Sequence, residues 1–431
     1  MKIRLKKKDR SINKVFNLMG DKSIAHRSLI IGTLGKGEYT IKNFPNNLDC
    51  LSTLTCMERL GVNAKIQKGD VIINSPGFEN FNKNAGILDA GNSGTTARLL
   101  SGLLAGTKLM GTIDGDESLR KRPMDRIIVP LKQMGAEINT NNNLLPLSFI
   151  RSKKLIGIEY NMPIASAQVK SSLLIAGFLS EGKTTITEKQ YTRDHTERMF
   201  KALGSNIEVN NLRISISNSK ITVKDMIIPG DISSAAFVIG CALMHEDCNI
   251  KIENVLLNER RKKYLDILIK MNANIEYKVI KTENYEEIGY VIAKSSSLKG
   301  ITIEEDEVPN IIDEIPILAV LSCFAEGSTI FNGISELKFK ESNRIRAIVD
   351  NLIECGVEVN YTDNYMEITG NNEYLNKDIY INPFNDHRIA MAFTALGCKN
   401  YKSTIINNWE CTHISFPDFI SILSEFFNVQ S

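Results

Sequence analysis

The chain repeats itself six times. Each copy opens with small or polar residues, continues as an apolar run, then turns into a Thr- or Ile-rich segment, as in Ser23 to Ile41 and in AQVKSSLLIAGFLSEGKTTIT around Gln168. The starts at 23, 94, 168, 233, 313 and 387 lie 71, 74, 65, 80 and 74 residues apart, a spacing too regular for independently placed helices. A fixed period means one supersecondary unit copied and stacked. In each copy the small polar residues are placed to cap the free N–H groups of a helix, and the apolar run buries its body. Such helix starts are natural seats for anions.

A second pattern falls between the first ones. Apolar residues at helical spacing stop at Gly61, Gly135, Gly204, Asn272 or Gly356, residue types suited to a left-handed cap, and an alternating strand follows each time. Each repeat therefore reads as roughly βαβαββ. A chain of 431 residues exceeds the ~250–300 at which a single core stops growing, so at least two domains are expected. Six repeats divide as three plus three, with the change near residue 227, where Pro229-Gly230-Asp231 begins the second set.

With 43% hydrophobic and 24% charged residues the composition is that of a soluble globular protein, and a net charge of +2 excludes a broad nucleic-acid footprint. The eight cysteines never form Cys-x-x-Cys and several sit in apolar helices, so they read as reduced, buried thiols of a cytoplasmic protein. The N-terminus lacks an apolar targeting core, and no run approaches the ~18 apolar residues of a membrane span, so no membrane partner is expected.

Lys22 stands just before the first helix and Arg27 one turn inside it, so both can reach an anion on its start; the alternative is a plain cap by Asp21 or Ser23 with two solvated cations. Arg98 follows Gly94 by four residues. The run from Asp114 to Met124 reads as a charged surface loop, although Arg122, held extended before Pro123, suits an inward-reaching lid residue. Gly177 to Thr184 fits GxxxxGK[ST], but that motif needs a strand before it and a helix after it, and the order here is reversed, so nucleotide binding is rejected.

Asp194 and Glu197 are spaced as a capping box, with His195 read as a first-turn surface residue and Arg193 as the better anion ligand. Ile280 to Ser297 reads as polar, irregular and without chemistry. Asp313 is a helix cap or a functional carboxylate. The stretch Lys340-Glu341-Ser342-Asn343-Arg344 places a carboxylate between cations, costly to bury unless paired, and the sixth repeat adds Asp386, His387 and Arg388. If the helix starts of the two domains face each other, they line a positive cleft containing two carboxylates, suited to small multiply anionic substrates and acid–base chemistry.

The motifs GDKSIAHR, GNSGTTAR, RKRPM, ASAQVKSS, RDHTE, PGDISSAAF, DEIPILAV, KESNR and DHRIAM occur in this order over residues 20 to 417. In them the chain resembles the bacterial-type 5-enolpyruvylshikimate-3-phosphate synthase (3-phosphoshikimate 1-carboxyvinyltransferase) family. The resemblance implies an α/β (α+β) enolpyruvyl transferase inside-out barrel fold. Its two similar domains would span 20–227 and, discontinuously, 1–19 with 228–431, three βαβαββ repeats each, with the active site in the cleft between them. It also implies a reaction: the enolpyruvyl group of phosphoenolpyruvate passes to the 5-hydroxyl of shikimate 3-phosphate, giving 5-enolpyruvylshikimate 3-phosphate and phosphate, on the way to chorismate and aromatic amino acids. No cofactor and no metal are implied, and a monomer is expected.

Carried over residue by residue, the resemblance makes Lys22, Ser23, Arg27, Ser166, Ala167, Gln168, Arg193, Asp313 and Lys340 contacts for shikimate 3-phosphate. Lys22, Asn92, Gly94, Arg122, Gln168, Arg344 and Arg388 become contacts for phosphoenolpyruvate. Asp313 matches the base, Glu341 and Lys22 serve proton traffic at C3, and His387 joins the catalytic set. Glyphosate would occupy the phosphoenolpyruvate site, with Gly94 at the sensitivity position and Leu99 where some members have Pro. Ile414 replaces a Lys that some members carry before Phe416-Pro417, so the site has one cation fewer or His413 substitutes. The alternatives are the related enolpyruvyl transferase acting on UDP-N-acetylglucosamine and a non-catalytic anion-binding repeat protein. The first typically carries a reactive Cys where this chain has Asp116 to Arg122 with none, and the second leaves Asp313 and Glu341 unexplained.

Overall fold

The computed structural model of the chain describes residues 1–107, 109–150, 154–371 and 374–430. Its strands form six four-stranded sheets of one pattern. In the third repeat Glu159–Asn161 lies parallel to Lys183–Thr187, which is antiparallel to Arg213–Ser217, itself paired antiparallel with Ile207–Asn210. Parallel neighbours need a crossover, which the helix Ala167–Leu179 supplies; His195–Ala202 then leads into a closing hairpin. That is the predicted βαβαββ unit.

Three sheets borrow strands from far along the chain. Met226–Ile227 lies parallel to Lys36–Lys42 and completes the first repeat, which has no leading strand of its own. Ile12–Asn17 does the same for Cys248–Leu256, and Ile3–Lys7 sits between Thr404–Ile406 and Phe427–Gln430. The chain divides into two compact units, Met19–Pro229 with Thr282–Glu286, and Met1–Leu18 with Gly230–Lys281 and Glu287–Ser431.

The first helix of each repeat forms the core. Lys22–Ile30, Gly94–Thr107 and Ala167–Leu179 serve one unit, and Ile232–Met244, Ile315–Ser322 and His387–Ala392 the other. Every residue of Ile232–Met244 is buried, as a helix apolar around its whole circumference requires. Where Gly94–Thr107 crosses Ala167–Leu179, a Cβ on Gly102 would overlap the Ser172 carbonyl, so glycine lets the two backbones touch.

The second helices, Leu48–Arg59, Asp125–Gln133, His195–Ala202, Lys263–Lys270 and Arg344–Glu354, are amphipathic and lie where the second pattern puts them. Their stop residues Gly61, Gly135, Gly204, Asn272 and Gly356 have φ of 96°, 100°, 84°, 69° and 84°, the left-handed conformation expected of them. The sixth, Phe419–Phe426, runs straight into Phe427–Gln430 without such a stop, which is why the pattern passes over it.

Two expectations about secondary structure fail. Ile280 to Ser297 is not irregular, because Asn274–Glu283 and Glu286–Lys294 form a long hairpin whose turn residues Asn284 and Tyr285 have φ of 50° and 64°. Positive φ at both turn positions is the favoured hairpin geometry, but the turn lacks the Gly that would announce it, and Asn274–Glu283 buries too little to alternate. The charged run after Asp114 contains a short helix, Glu117–Arg120, capped by Asp116, whose Oδ1 accepts from the Leu119 amide at 2.7 Å.

The phosphate-loop lookalike has a helix before it and the strand Lys183–Thr187 after it. All eight cysteines are free and buried. Among the described residues no helix is long and apolar enough to cross a membrane, and no group of three His, Cys, Asp or Glu residues stands ready for a metal.

Candidate active site

The repeat brings three helix starts together in each unit, and the candidate residues gather there. In the unit spanning Met19–Pro229, Asp21 caps the first core helix by accepting from the Ile24 amide at 2.9 Å. Lys22, the first residue of that helix, places Nζ 2.8 Å from Asp49 Oδ2. Arg27 is buried. Its Nη1 donates to the Ser23 carbonyl at 2.8 Å, its Nε to Thr196 Oγ1 at 2.7 Å and its Nη2 to Ser171 Oγ at 2.7 Å, so one guanidinium joins the first and third repeats.

The second and third helix starts are clasped through Gln168. Arg98 Nη1 donates to Gln168 Oε1 at 2.5 Å, and Gln168 Nε2 donates to Thr95 Oγ1 at 2.9 Å. Ser166 caps the third core helix at Val169, with Ala167 its first residue. Arg122 is buried rather than solvated, its Nη2 donating to Asn92 Oδ1 at 2.8 Å while Asn92 Nδ2 donates to Asp116 Oδ2 at 2.6 Å. Gly94 begins its helix with the guanidinium groups of Arg98 and Arg122 close by: a Cβ there would lie 2.9 Å from Arg98 Nη1 and 3.4 Å from Arg122 Nη1.

Arg193 stands just outside the helix His195–Ala202, as expected, but its neighbours do not behave as a capping box. Asp194 makes no cap and instead pairs with Arg198, Oδ2 to Nε at 2.9 Å. Glu197 turns inward to Lys170, Oε1 to Nζ at 2.6 Å, and Lys170 also meets Glu188 Oε2 at 2.9 Å. His195 is buried, with Nδ1 2.7 Å from Glu286 Oε1, and not on the surface. Its partner comes from the hairpin tip 91 positions along the chain, which no local pattern could announce.

In the other unit, Asp313 is not a cap, since its helix begins at Ile315 and Glu314 holds the capping position. Its Oδ1 lies 3.2 Å from Arg344 Nη1 and 3.7 Å from Lys340 Nζ, and its Oδ2 lies 3.7 Å from Arg388 Nη2. Arg388 also donates from Nη1 to the Asp313 carbonyl at 3.0 Å and comes within 3.8 Å of Glu314, which accepts from Ser233 Oγ. All three helix starts of this unit thus enter one network.

Arg344 is fully buried and meets three carboxylates, Asp386 at 2.8 Å through Nε, Glu341 at 2.5 Å through Nη2 and Asp313 through Nη1. Burial works against its charge, but Asp386, Glu341 and Asp313 more than offset it and raise its pKa further. His387, the first residue of its helix, is buried beside Asp386, which caps that helix through the Arg388 amide at 2.9 Å. A half-buried carboxylate facing three cations is equipped for proton transfer coupled to anion binding. Asp49 carries no signal in the local sequence pattern, since its pairing with Lys22 spans 27 positions and two helices.

The family model described as EPSP synthase (3-phosphoshikimate 1-carboxyvinyltransferase) matches residues 6–423. A 3-phosphoshikimate 1-carboxyvinyltransferase of Clostridium tetani is 51% identical over 418 residues, covering 97% of this chain and 95% of the relative. One of Bacillus subtilis is 40% identical over 412 residues, covering 95% and 96%. The solved EPSP synthase of Acinetobacter baumannii superposes with a TM-score of 0.88 at 35% identity over 100% of both chains.

Proposed function

We propose, from the premise that the chain belongs to the EPSP synthase (3-phosphoshikimate 1-carboxyvinyltransferase) family, that Asp313 is the general base of its reaction and that the cations around it are the substrates' anion ligands. The enzyme is a transferase of the shikimate pathway, moving the enolpyruvyl group of phosphoenolpyruvate to the 5-hydroxyl of shikimate 3-phosphate with release of phosphate. The observation that carries the assignment is the placing of Lys340, Arg344 and Arg388 within 3.7 Å of one carboxylate.

A neighbouring cation favours the ionised carboxylate and so weakens it as a base. When substrate phosphate and carboxylate groups share the charge of Lys340, Arg344 and Arg388, the hold of these cations on Asp313 weakens and it can accept the 5-hydroxyl proton. The oxygen then bonds to C2 of phosphoenolpyruvate while C3 gains a proton from Lys22 or Glu341. The tetrahedral intermediate expels phosphate as C3 gives the proton back. Lys22, Ser23, Arg27, Ser166, Ala167, Gln168, Arg193, Asp313 and Lys340 hold shikimate 3-phosphate. Lys22, Asn92, Gly94, Arg122, Gln168, Arg344 and Arg388 hold phosphoenolpyruvate, and His387, buried at the start of the helix that carries Arg388, joins the catalytic set. Fixed cations and helix N–H groups stabilise developing charge without a metal.

The proposed domains are 20–227 and 1–19 with 228–431. Glyphosate is the proposed inhibitor at the phosphoenolpyruvate site. The buried thiols fit a reducing cytoplasm, and the enzyme is proposed to act as a monomer, which size-exclusion chromatography with light scattering would check. The decisive experiment mixes the protein with both substrates and follows phosphate release. Folded protein that releases none overturns the reading.

A further inference from the structure

Behind the phosphoenolpyruvate ligands runs a buried chain of hydroxyl groups that none of the assigned roles uses. His26, Thr53 and Thr96 are fully buried and lie on three different helices, Lys22–Ile30, Leu48–Arg59 and Gly94–Thr107. His26 Nδ1 is 2.7 Å from Thr53 Oγ1, Thr53 Oγ1 is 2.6 Å from Thr96 Oγ1, and Thr96 Oγ1 donates to Ser93 Oγ at 2.8 Å. Ser93 is itself the cap of the third of these helices, accepting from the Thr96 amide at 3.1 Å. Both threonine hydroxyls also approach the Asp49 carbonyl, at 3.5 and 3.4 Å, and Asp49 holds Lys22.

The protons can be placed in order. With the Thr96 hydroxyl proton on Ser93, at 2.8 Å the nearer of its two acceptors, Thr96 accepts from Thr53 and His26 donates from Nδ1. The imidazole therefore carries its proton on Nδ1 and none on Nε2. Buried Nε2 has no hydrogen-bond partner, which a bare lone pair tolerates better than an N–H would. Burial pushes the imidazolium well below its ordinary range, and the charges of Lys22 and Arg27 push the same way, so the ring stays neutral. Bonds that all run in one direction polarise one another and stiffen the chain.

We propose that His26 is a positioning residue for the phosphoenolpyruvate site: as the fixed donor at the head of the Thr53–Thr96–Ser93 chain, it sets the helix start that presents Gly94 and Thr95, in register with the Asp49 that holds Lys22. The role rests on the enzymatic reading above and deepens it. Asn at position 26 offers an amide N–H close to where Nδ1–H stands, whereas Leu offers none.

The test combines two readouts. Side-chain nitrogen NMR of the wild type shows His26 protonated at Nδ1 and bare at Nε2, without titration between about pH 5.5 and 8.5; an Nε2–H ring or a titrating one overturns the proposal. His26→Leu and Thr96→Val raise the KM for phosphoenolpyruvate about threefold to tenfold, the scale of one lost buried hydrogen bond, leave that for shikimate 3-phosphate within about twofold, and His26→Asn restores the wild-type value. A purely structural role would lower the melting temperature and move both KM values or neither, and that outcome overturns the proposal. Should His26→Leu fail to fold, Thr96→Val must show the same split. The amide resonances of Gly94 and Thr95 are read without substrate, and if they stay unmoved in folded His26→Leu the positioning role fails. Absence of phosphate release from the wild type instead sinks the enzymatic reading, so the two failures are distinguishable.

Discussion

Arg344 and Asp386 meet as a fully buried ion pair, Nε to Oδ2 at 2.8 Å, with side-chain exposures of 1% and 0%. Removing one partner of such a pair strands the other charge in a dry interior, which costs about 3–5 kcal/mol. Asp386 also caps the helix His387–Ala392 through the Arg388 amide, so Asp386→Ala should reach the upper end of that range. Arg344→Lys is no substitute, since a single ammonium cannot meet Asp386, Glu341 and Asp313 as a planar fork does. Urea unfolding of both variants checks this. A loss below about 1 kcal/mol, the scale of an exposed pair, would show that the pair is relaxed in solution.

Asp313→Ala should leave shikimate 3-phosphate binding partly intact while slowing turnover, because a positioned general base contributes about 10²–10⁴-fold. The variant also leaves Lys340, Arg344 and Arg388 without a shared carboxylate, so affinity for anionic substrates should not fall in proportion to kcat. Turnover near that of the wild type removes Asp313 from the mechanism.

Lys22→Ala should damage both binding and rate, since its charge is assigned to both substrates. The loss of one charge-assisted hydrogen bond, about 1.5–3 kcal/mol, predicts about 10- to 100-fold weaker phosphoenolpyruvate binding. Calorimetry in the presence of shikimate 3-phosphate reads it, and unchanged affinity counts against Lys22 as a ligand.

The repeat was legible because its two helix types differ in pattern. One is apolar all round, as in Ile232–Met244, and the other stops at a residue that tolerates positive φ, as at Gly61 or Asn272. Phe419–Phe426, which has no such stop, and the hairpin turn Asn284-Tyr285, which has no Gly, escaped for the same physical reason. Residue types at the helix starts marked the candidate residues, but their partners did not follow from them. Asp49 for Lys22, Glu286 for His195 and Lys170 for Glu197 are matched by tertiary packing, so a capping-box spacing at Asp194 and Glu197 misled where a buried lysine competed for the same carboxylate.

Glu197 also carries a pH signature. Burial raises its carboxyl pKa above the ordinary 4.5, Lys170 pulls the other way, and Asp194 and Glu188 add to the rise. A carboxyl with a raised folded value contributes stability that is fully present below the unfolded value and is lost as pH rises through the folded one. Stability should therefore fall between about pH 4 and pH 8 by an increment that Glu197→Gln abolishes, since Gln cannot ionise. Urea midpoints at the two pH values read the difference, and an equal change in wild type and variant refutes it.

The final prediction concerns Gly94. Its helix start has no Cβ, so a ligand at the phosphoenolpyruvate site can approach the backbone N–H groups closely. Gly94→Ala adds a methyl 2.9 Å from Arg98 Nη1 and 3.4 Å from Arg122 Nη1, close enough that the Arg98 guanidinium must shift by a few tenths of an ångström. That guanidinium holds Gln168, which in turn holds Thr95, so the shift spreads along the site instead of staying at one atom. Glyphosate is longer than phosphoenolpyruvate and needs more of that space, so the substitution should weaken glyphosate more than it raises the KM for phosphoenolpyruvate. Leu99 is fully buried in the same helix, so its packing opposes an outward slide that would relieve the methyl. Inhibition constants for wild type and Gly94→Ala, measured beside the two KM values, decide the matter: equal constants, or a wild type already insensitive, would show that Gly94 does not line the inhibitor's site.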